Sequence, residues 1–257
     1  MFRPRVIPVL LLKNLGLVKS IKFKKHKYIG DPINSVKIFN DLKADELIFL
    51  DILASKEKRT VSLDFVKNVG SEANMPFGVG GGIKTIEDIR KIISAGAEKV
   101  ILNTHAFLDQ EFIKKASDEF GSSTICVSMD VKKTLFKGER VFIYGGSKMT
   151  KMKPVAYSKI IEQMGAGEII VNSIDRDGVM EGYNIDLIKR ISKNVSIPVV
   201  ALGGAGKMSD FSSATREGFA SAVAAGSKFI YQGTRRAVLV NYPNKEILNK
   251  IFSNVRK

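Results

Sequence analysis

The stretch "PFGVGGGIKTIEDIRKIISAGAEKVILNT", residues 76–104, carries the pattern that decides the fold. An apolar run of strand length is followed by glycines, an amphipathic segment and a second apolar run. Four isoleucines of the amphipathic segment repeat at helical spacing: Ile86, Ile89, Ile92 and Ile93. Gly96 then ends the predicted helix. Because both strands are continuously apolar, the stretch predicts part of a parallel sheet that is covered on its two faces.

The same unit recurs along the whole chain. Apolar runs of strand length lie at Val6–Leu12, Glu46–Ile52, Pro76–Val79, Lys99–Leu102, Ser123–Met129, Glu168–Ser173, Pro198–Leu202 and Ala220–Ala225. Helical segments separate them, so these eight units predict an α/β protein, a (β/α)8 TIM barrel. A doubly wound open sheet is the alternative, but its usual GxGxxG turn does not follow the first run.

The chain also repeats itself internally. "DELIFLDI" at 45–52 matches "GEIIVNSI" at 167–174, and "VGGGI" at 79–83 matches "LGGAG" at 202–206. No linker or low-complexity tract divides the sequence. We therefore predict a single domain over 1–257, built from two half-barrels at about 1–120 and 121–245.

Charge and composition restrict the partners. The 257 residues carry a formal net charge of +15, which favours a phosphorylated or nucleotide-linked small molecule, a nucleic acid or an acidic protein. No nucleic-acid-binding motif accompanies the lysines, so we predict no nucleic-acid partner. The densest basic cluster, "KSIKFKKHK" at 19–27, is predicted to be a solvated, mobile loop.

Cysteine and histidine are scarce. The single cysteine, Cys126, lies inside an apolar run, which excludes a disulfide framework and a cysteine-rich metal site. The two histidines, His26 and His105, are too few for a metal cluster, so neither a metal nor a cofactor is predicted. No stretch approaches the ~20 apolar residues of a membrane span. These features favour a cytosolic protein with no membrane partner.

The site of such a barrel is formed where its strands end. Glycines follow the third and seventh strands, and glycine lets backbone amides approach an anion closely. We define the first cradle as Gly82, Asn103 and Thr104, and the second cradle as Gly204, Gly226 and Ser227. Together they predict two phosphate sites related by the internal repeat. The alternative is that the glycines only permit tight turns.

Carboxylates end several strands of the predicted barrel. Asp130 follows the apolar run "ICVSM", where it is either a general acid/base or the partner of Lys132 or Lys19. Asp51 lies in the same layer, and Asp175 and Asp177 follow the sixth strand in "SIDRDG". The rim aspartates are also compatible with loops that cap themselves through Asx turns.

Charged residues begin four strands at the opposite end of the predicted barrel. They are Arg5, Glu46, Lys99 and Glu168, and their formal charges cancel. Taken alone, the pattern predicts a salt-bridged layer that stabilises the bottom of the barrel.

Several motifs resemble the cyclase subunit of imidazole glycerol phosphate synthase in the right order: "DELIFLDI", "PFGVGGGI", "EKVILNT", "SIDRDG" and "VALGGAGKM". The resemblance covers essentially the whole chain. It implies a barrel that receives ammonia from a glutaminase subunit docked at its bottom. At the mouth, the family uses this ammonia to cleave and cyclise a bis-phosphorylated aminoimidazole-carboxamide ribonucleotide.

The resemblance assigns roles to matching residues. It implies phosphate binding by both cradles, acid/base catalysis by Asp130, and a catalytic role for Lys19 in the flexible first loop of the family. It also implies an ammonia gate at the bottom, made by Arg5, Glu46, Lys99 and Glu168.

The chain departs from the family at the mouth. Leu11, in "LLLKNLGLVK", stands where the family carries its second catalytic aspartate. Leu53, Ile143 and Val179 replace threonines, and Gly145 replaces a serine. A leucine cannot transfer protons, and one positioned acid/base contributes about 10²–10⁴-fold to a rate. A leucine beside the remaining carboxylate is also expected to raise the pKa of that group.

This pattern resembles the second-copy branch of the HisF-like family. That resemblance implies an ammonia conduit that works with a glutaminase and an N-acetyl sugar amidotransferase in acetamidino sugar formation for surface polysaccharide. Two alternatives stay open: an ordinary histidine-pathway cyclase that relies on Asp130, and a non-catalytic scaffold barrel with an acidic partner.

Overall fold

The computed structural model describes residues 3–233 and 235–253, so the outermost ends of the predicted domain lie outside the described residues. Eight parallel strands close into a barrel, because strand 1 pairs with strand 8 and strand 5 pairs with strand 6. We number them 1 to 8 in chain order: Arg5–Lys13, Leu47–Asp51, Phe77–Gly80, Lys99–Leu102, Ile125–Thr134, Glu168–Ser173, Val199–Leu202 and Ala222–Ala225. The predicted (β/α)8 fold is confirmed.

Helices connect the strands on the outside. They span Pro32–Asp41, Leu63–Glu72, Ile86–Ser94, Thr104–Leu108, Glu111–Phe120, Pro154–Gln163, Ile185–Ser192, Met208–Arg216, Ser227–Ile230 and Lys245–Phe252, with a 3-10 turn at Ser122–Thr124. Within the quoted stretch, Ile89 and Ile92 are fully buried, and Gly96 follows the helix with a φ of 108°. The residues described include no helix with the length and apolar character of a membrane span.

The helices that follow strands 3 and 7 begin with the same capping arrangement. Asp88 accepts hydrogen bonds from the backbone N–H groups of Lys84 and Thr85 at the helix after strand 3. Asp210 does the same for Gly206 and Lys207 after strand 7. The same capping arrangement thus occurs at equivalent places in the two halves.

The inside of the barrel holds an apolar cluster separate from the outer core. It contains Ile7, Val9, Ile48, Ile101, Cys126, Ile170, Val200, Leu202, Ala222 and Ala224, with Leu11 and Leu50 packed against it. Residues two apart on a strand face the same side. The interior face of strand 1 is therefore Arg5, Ile7, Val9 and Leu11 from bottom to mouth.

The basic cluster 19–27 is not the solvated loop that the sequence predicts. It belongs to an antiparallel hairpin, Gly16–Ile21 with Lys24–Gly30, which we call the basic hairpin. The first of its strands also pairs with strand 1, so the sheet satisfies backbone groups that a loop would leave to water. Exposed lysines remain on its outer strand.

A second hairpin extends strand 5 beyond the mouth. Residues up to Thr134 pair with the strand Gly138–Ile143, which in turn pairs with Lys148–Met149. A short ribbon, Tyr231–Gln232 with Ala237–Val238, follows the last barrel strand. The two hairpins meet at the mouth, where a Cβ atom added to Gly146 would lie 2.9 Å from the Phe23 ring.

Candidate functional site

Asp130 is the buried carboxyl group of the mouth. Its two oxygens accept hydrogen bonds from the side-chain amides of Asn103, at 3.0 Å, and Asn172, at 3.1 Å. Only 6% of Asp130 is exposed, and burial outweighs both amides and raises its pKa to about 7. A carboxyl group with this pKa can both give and take a proton near neutral pH.

Neither lysine that the sequence offered as a partner pairs with Asp130, so that alternative is wrong. The ammonium group of Lys132 lies 5.9 Å from the centre of the Phe142 ring. The ammonium group of Lys19 instead donates a hydrogen bond to the carbonyl oxygen of Val9 at 2.6 Å. Neutral amides therefore hold the Asp130 carboxyl group without neutralising it.

Asn172 is a site residue that the sequence analysis missed. It lies opposite Asp130 in the register between strands 6 and 5. Its Oδ1 atom is buried and has no hydrogen-bond partner among the described residues. The internal repeat offered a signal, because Asn172 in "GEIIVNSI" corresponds to Leu50 in "DELIFLDI". A polar residue at an interior position whose repeat counterpart is apolar indicates a candidate site residue.

Leu11 gives the mouth an apolar side. It lies opposite Leu50 in the register between strands 1 and 2, and both residues pack against the interior cluster. The polar side lies across strands 4 to 6, where Asn103, Asp130 and Asn172 are linked by hydrogen bonds. The apolar lining of the barrel interior thus reaches the rim on the side of strands 1 and 2, whereas strands 4 to 6 carry polar side chains there.

Lys19 is buried rather than part of a flexible loop, which corrects the expectation from the resemblance. It is 4% exposed and lies in the inner strand of the basic hairpin. Burial lowers its pKa to about 8, while the charge of Asp177 acts in the opposite direction. A Cβ atom added to Gly226 would lie 2.6 Å from the Lys19 ammonium, so this lysine contacts the second cradle.

The side chains of the first cradle form hydrogen bonds with each other and with neighbouring residues. Asn103 donates to the backbone oxygen of Ser128 at 2.8 Å as well as to Asp130. The Thr104 hydroxyl donates to Asn103 Oδ1 at 3.2 Å and accepts from the backbone N–H of Tyr144 at 3.0 Å. A Cβ atom added to Gly82 would lie 1.8 Å from the Arg59 carbonyl oxygen. This close approach and a φ of +67° require glycine without any ligand.

The second cradle borders a cleft. Gly204, Gly226 and Ser227 line it together with Asp177. Gly204 also has a packing reason, since its Cβ atom would lie 2.2 Å from the Gly182 carbonyl oxygen. In both cradles, the turns therefore account for the glycines that follow strands 3 and 7. The prediction of phosphate binding depends instead on the side chains beside them.

The three rim aspartates bind elements of the protein itself. Asp51 accepts from the backbone N–H groups of Leu53 and Ala54, an Asx turn, and pairs with Arg59 at 2.5 Å. Asp175 accepts from the backbone of Lys133 in the second hairpin at 2.8 Å. Asp177 accepts hydrogen bonds from the basic hairpin.

Asp177 and the basic hairpin share three hydrogen bonds. Its carboxylate accepts from the Ser20 hydroxyl at 2.6 Å and from the Phe23 N–H at 3.2 Å. Its backbone oxygen accepts from the Lys22 N–H at 2.9 Å. Burial raises the pKa of Asp177, although these donors and Lys19 oppose the rise.

A closed ring of charges spans the bottom of the barrel. Arg5 donates to both Glu46 and Glu168. Lys99 completes the ring from the other side, with its ammonium 3.2 Å from Glu46 and 3.1 Å from Glu168. The two glutamates are buried and the cations are partly exposed. The four residues that the sequence placed in one layer are therefore in direct contact.

The fold and these positions define a class of protein: a (β/α)8 barrel with a candidate site at the C-terminal ends of its strands. A sequence model of the family described as histidine biosynthesis protein matches residues 5–235, and the chain belongs to this family, in its HisF-like group.

Relatives show the same grouping. A Pseudomonas aeruginosa protein provisionally named imidazole glycerol phosphate synthase subunit hisF2 is 46% identical over 244 residues, covering 95% of this chain and 97% of the relative. A Leptospira interrogans protein provisionally named as subunit HisF of the same enzyme is 43% identical, covering 98% and 100%. Subunit HisF of Alkaliphilus metalliredigens is 42% identical, covering 90% and 92%.

Proposed function

We propose that this barrel receives ammonia from a HisH-like glutaminase and delivers it through its interior to a second enzyme. The acceptor reaction is acetamidino sugar formation for surface polysaccharide, carried out by an N-acetyl sugar amidotransferase. The complex works in the cytosol. The single observation that carries the proposal is the combination of a charged ring at the bottom with a mouth in which the Asp130 carboxyl group lies on one side and Leu11 on another.

The interior suits neutral ammonia. Between the ring and the mouth, strand 1 presents Ile7 and Val9, and strand 6 presents Ile170. Burying an unpaired charge among apolar side chains is costly, so ammonium is excluded while ammonia is tolerated. In this proposal the ring of Arg5, Glu46, Lys99 and Glu168 is the gate between the docked glutaminase and this lining.

The decisive experiment reconstitutes the chain with its glutaminase and supplies glutamine with the bis-phosphorylated ribonucleotide. The proposal expects glutaminase activity to rise on pairing, with no imidazole glycerol phosphate formed. A HisF subunit with an aspartate at the Leu11 position serves as the positive control under the same conditions. Substantial cyclase turnover by this chain would overturn the proposal.

A histidine-pathway cyclase is the second candidate. The observation that favours it is the raised pKa of Asp130, to about 7, which suits a single residue that gives and takes protons. Rescue of a histidine auxotroph that lacks its cyclase would establish it. Failure to rescue, despite good expression and glutaminase pairing, would argue strongly against it.

A scaffold barrel that binds an acidic partner is the third candidate, favoured only by the charge of +15. Lys99→Met separates it from the conduit, because a scaffold passes no ammonia. Under the conduit proposal, the variant changes the rate of product formation when glutamine is the nitrogen source. The rate with added ammonium salts stays the same. Under the scaffold reading, neither rate changes.

A further inference from the structure

The two hairpins at the mouth expose apolar side chains on opposite sides of the barrel. They extend from strands 1 and 5, which lie four strands apart in the closed ring of eight. The turn from strand 1 into the basic hairpin carries Leu15, which is 61% exposed. The turn of the second hairpin carries Leu135 and Phe136, which are 95% and 96% exposed. We call these segments, 14–15 and 135–137, the two apolar turns.

Leu15 is exposed at a conformational cost. Lys13 pairs with Gly16, so Asn14 and Leu15 form a two-residue turn, with φ values of 52° and 63°. Such a turn favours Asn followed by Gly, because both of its residues adopt the left-handed region. Asn14 follows this preference and Leu15 does not. Since an exposed leucine gains little from burial, folding alone does not account for a leucine at this position.

Positive charge surrounds the two apolar turns. Residues 16–30 contain five lysines and no acidic residue. Residues 131–149 contain four lysines and Arg140, and their single acidic residue, Glu139, pairs with Arg190. These 34 residues therefore hold nine of the fifteen net positive charges of the chain. Exposed apolar groups within a charged rim are typical of a protein interaction site, and an acidic surface is the electrostatic complement of this one.

A single protein interface can reach both turns. Eight strands about 4.8 Å apart and tilted by about 36° form a ring roughly 15 Å across. A standard interface buries about 800 Å² on each partner, which corresponds to a patch about 30 Å across. A protein that contacts both turns therefore covers the mouth between them, where the Asp130 carboxyl group lies.

We propose that the two apolar turns and the lysines around them are the docking surface for the acceptor enzyme. The acceptor binds through an acidic face with apolar pockets for Leu15 and Phe136, and it covers the mouth at the end of the barrel opposite the charged ring. The inference rests on the proposed function, because a conduit must pass ammonia to its acceptor without releasing it to water. A bilayer of anionic lipids also attracts lysines, but it offers no acceptor group at the mouth.

The test measures binding of the chain, paired with its glutaminase, to the N-acetyl sugar amidotransferase of the proposed complex. Calorimetry and sedimentation velocity should show a complex whose affinity falls at least tenfold between about 50 and about 300 mM NaCl. Leu15→Gly should weaken binding about tenfold, while its thermal unfolding midpoint stays the same or rises, because glycine suits the turn. A merely structural role for Leu15 would not produce this opposite pair of effects.

Phe136→Ser should also weaken binding about tenfold. Ile247→Ser is the matched control and should leave binding unchanged. Ile247 is an exposed apolar residue on the helix Lys245–Phe252. That helix follows Tyr242, which donates a hydrogen bond to Val6 near the bottom of strand 1, so it lies away from the mouth.

Charge reversal tests the electrostatic part of the surface. Lys24→Glu combined with Lys25→Glu places two negative charges on the exposed strand of the basic hairpin. We expect association with the amidotransferase to slow about tenfold or more, since charges at the edge of an interface act mainly on the association rate. Lys245→Glu combined with Lys250→Glu is the control, with the same change of net charge on the helix away from the mouth.

Four outcomes would overturn the inference. They are no complex with the amidotransferase, affinity that salt does not change, unchanged affinity in Leu15→Gly and Phe136→Ser, or an equal loss in Ile247→Ser. Tighter binding to anionic lipid vesicles than to the amidotransferase, lost in Phe136→Ser, would make a bilayer the occupant instead. Ammonia delivery and cyclase turnover are measured separately. A chain that delivers ammonia but keeps its affinity in every variant refutes this inference alone, and a docked chain that makes imidazole glycerol phosphate refutes the proposed function alone.

Discussion

Asn172 donates a hydrogen bond of 3.1 Å to Asp130 from the neighbouring strand. Because the amide nitrogen faces the carboxylate, the amide oxygen faces away and is left without a partner among the described residues. Asn172 occupies an interior position at which the other half of the chain has the apolar residue Leu50.

Asp130 makes folding stability pH-dependent. Its pKa is about 7 in the folded protein and about 3.9 in an unfolded chain, so the folded state holds the proton more tightly. Stability from this group is therefore full below pH ~4 and is lost as the pH rises to ~7. The loss is on the order of a few kcal/mol, since one pKa unit corresponds to about 1.4 kcal/mol.

Asp130→Asn removes this dependence. The variant loses one hydrogen bond at every pH, which lowers its unfolding free energy by a constant amount. The informative quantity is therefore how the unfolding free energy changes with pH in the variant compared with the unsubstituted chain. We expect the difference, variant minus unsubstituted, to rise between pH 4 and 7 in denaturant titrations. Asp177 also has a raised pKa but is present in both proteins, so its contribution largely cancels. Parallel curves would contradict the prediction.

Leu11→Asp tests whether the missing proton-transfer group limits cyclisation. With ammonium salts as nitrogen source, we expect cyclase activity about 100-fold above that of Leu11→Asn, which has similar size and polarity but transfers no proton. Equal activities of the two variants would show that proton transfer is not what the mouth lacks.

The charged ring predicts a strong coupling between Lys99 and the glutamates. Lys99→Met leaves Glu46 and Glu168 with one cation between them and is expected to destabilise the chain by about 3 kcal/mol. Adding Glu46→Gln should recover at least ~1 kcal/mol of that loss, because it removes the uncompensated charge. Thermal and denaturant unfolding measure the destabilisation by Lys99→Met and its partial recovery in the double variant. Additive effects in the double variant would mean that the ring is screened by water.

The sequence predicted the barrel but not the basic hairpin, and the reason is physical. Barrel strands are covered on both faces, so their continuous apolar runs are visible in the sequence. The outer strand of the hairpin, Lys24–Gly30, is mostly exposed, and its backbone pairing leaves no apolar pattern. Lys19 lies in the inner strand, and its burial depends on contacts with Val9 and Gly226 that a local sequence pattern does not show. The Asn172–Asp130 contact was missed because it depends on the register between strands 42 residues apart.

Two of the three rim aspartates, Asp175 and Asp177, predict separable effects on the two hairpins. Asp177→Ala removes the acceptor for Ser20 and Phe23 and should speed amide hydrogen exchange in the basic hairpin about tenfold, the effect of ~1.4 kcal/mol. Asp175→Ala is the matched control, because it releases the backbone of Lys133 and should loosen the second hairpin. Exchange that rises equally in both hairpins in either variant would indicate general destabilisation instead.

Gly226→Ala tests the contact between Lys19 and the second cradle. The φ of Gly226 is −105°, so alanine introduces no backbone strain, but its Cβ atom would lie 2.6 Å from the Lys19 ammonium and 3.2 Å from the Val9 carbonyl oxygen. The lysine must move, and its hydrogen bond to Val9 is lost. We expect a destabilisation of about 1–2 kcal/mol and faster amide exchange near Lys19. In the double variant with Lys19→Ala, the alanine at 226 should cost at least ~1 kcal/mol less, because the clashing group is gone. An unchanged cost would place the strain at Val9 rather than at Lys19.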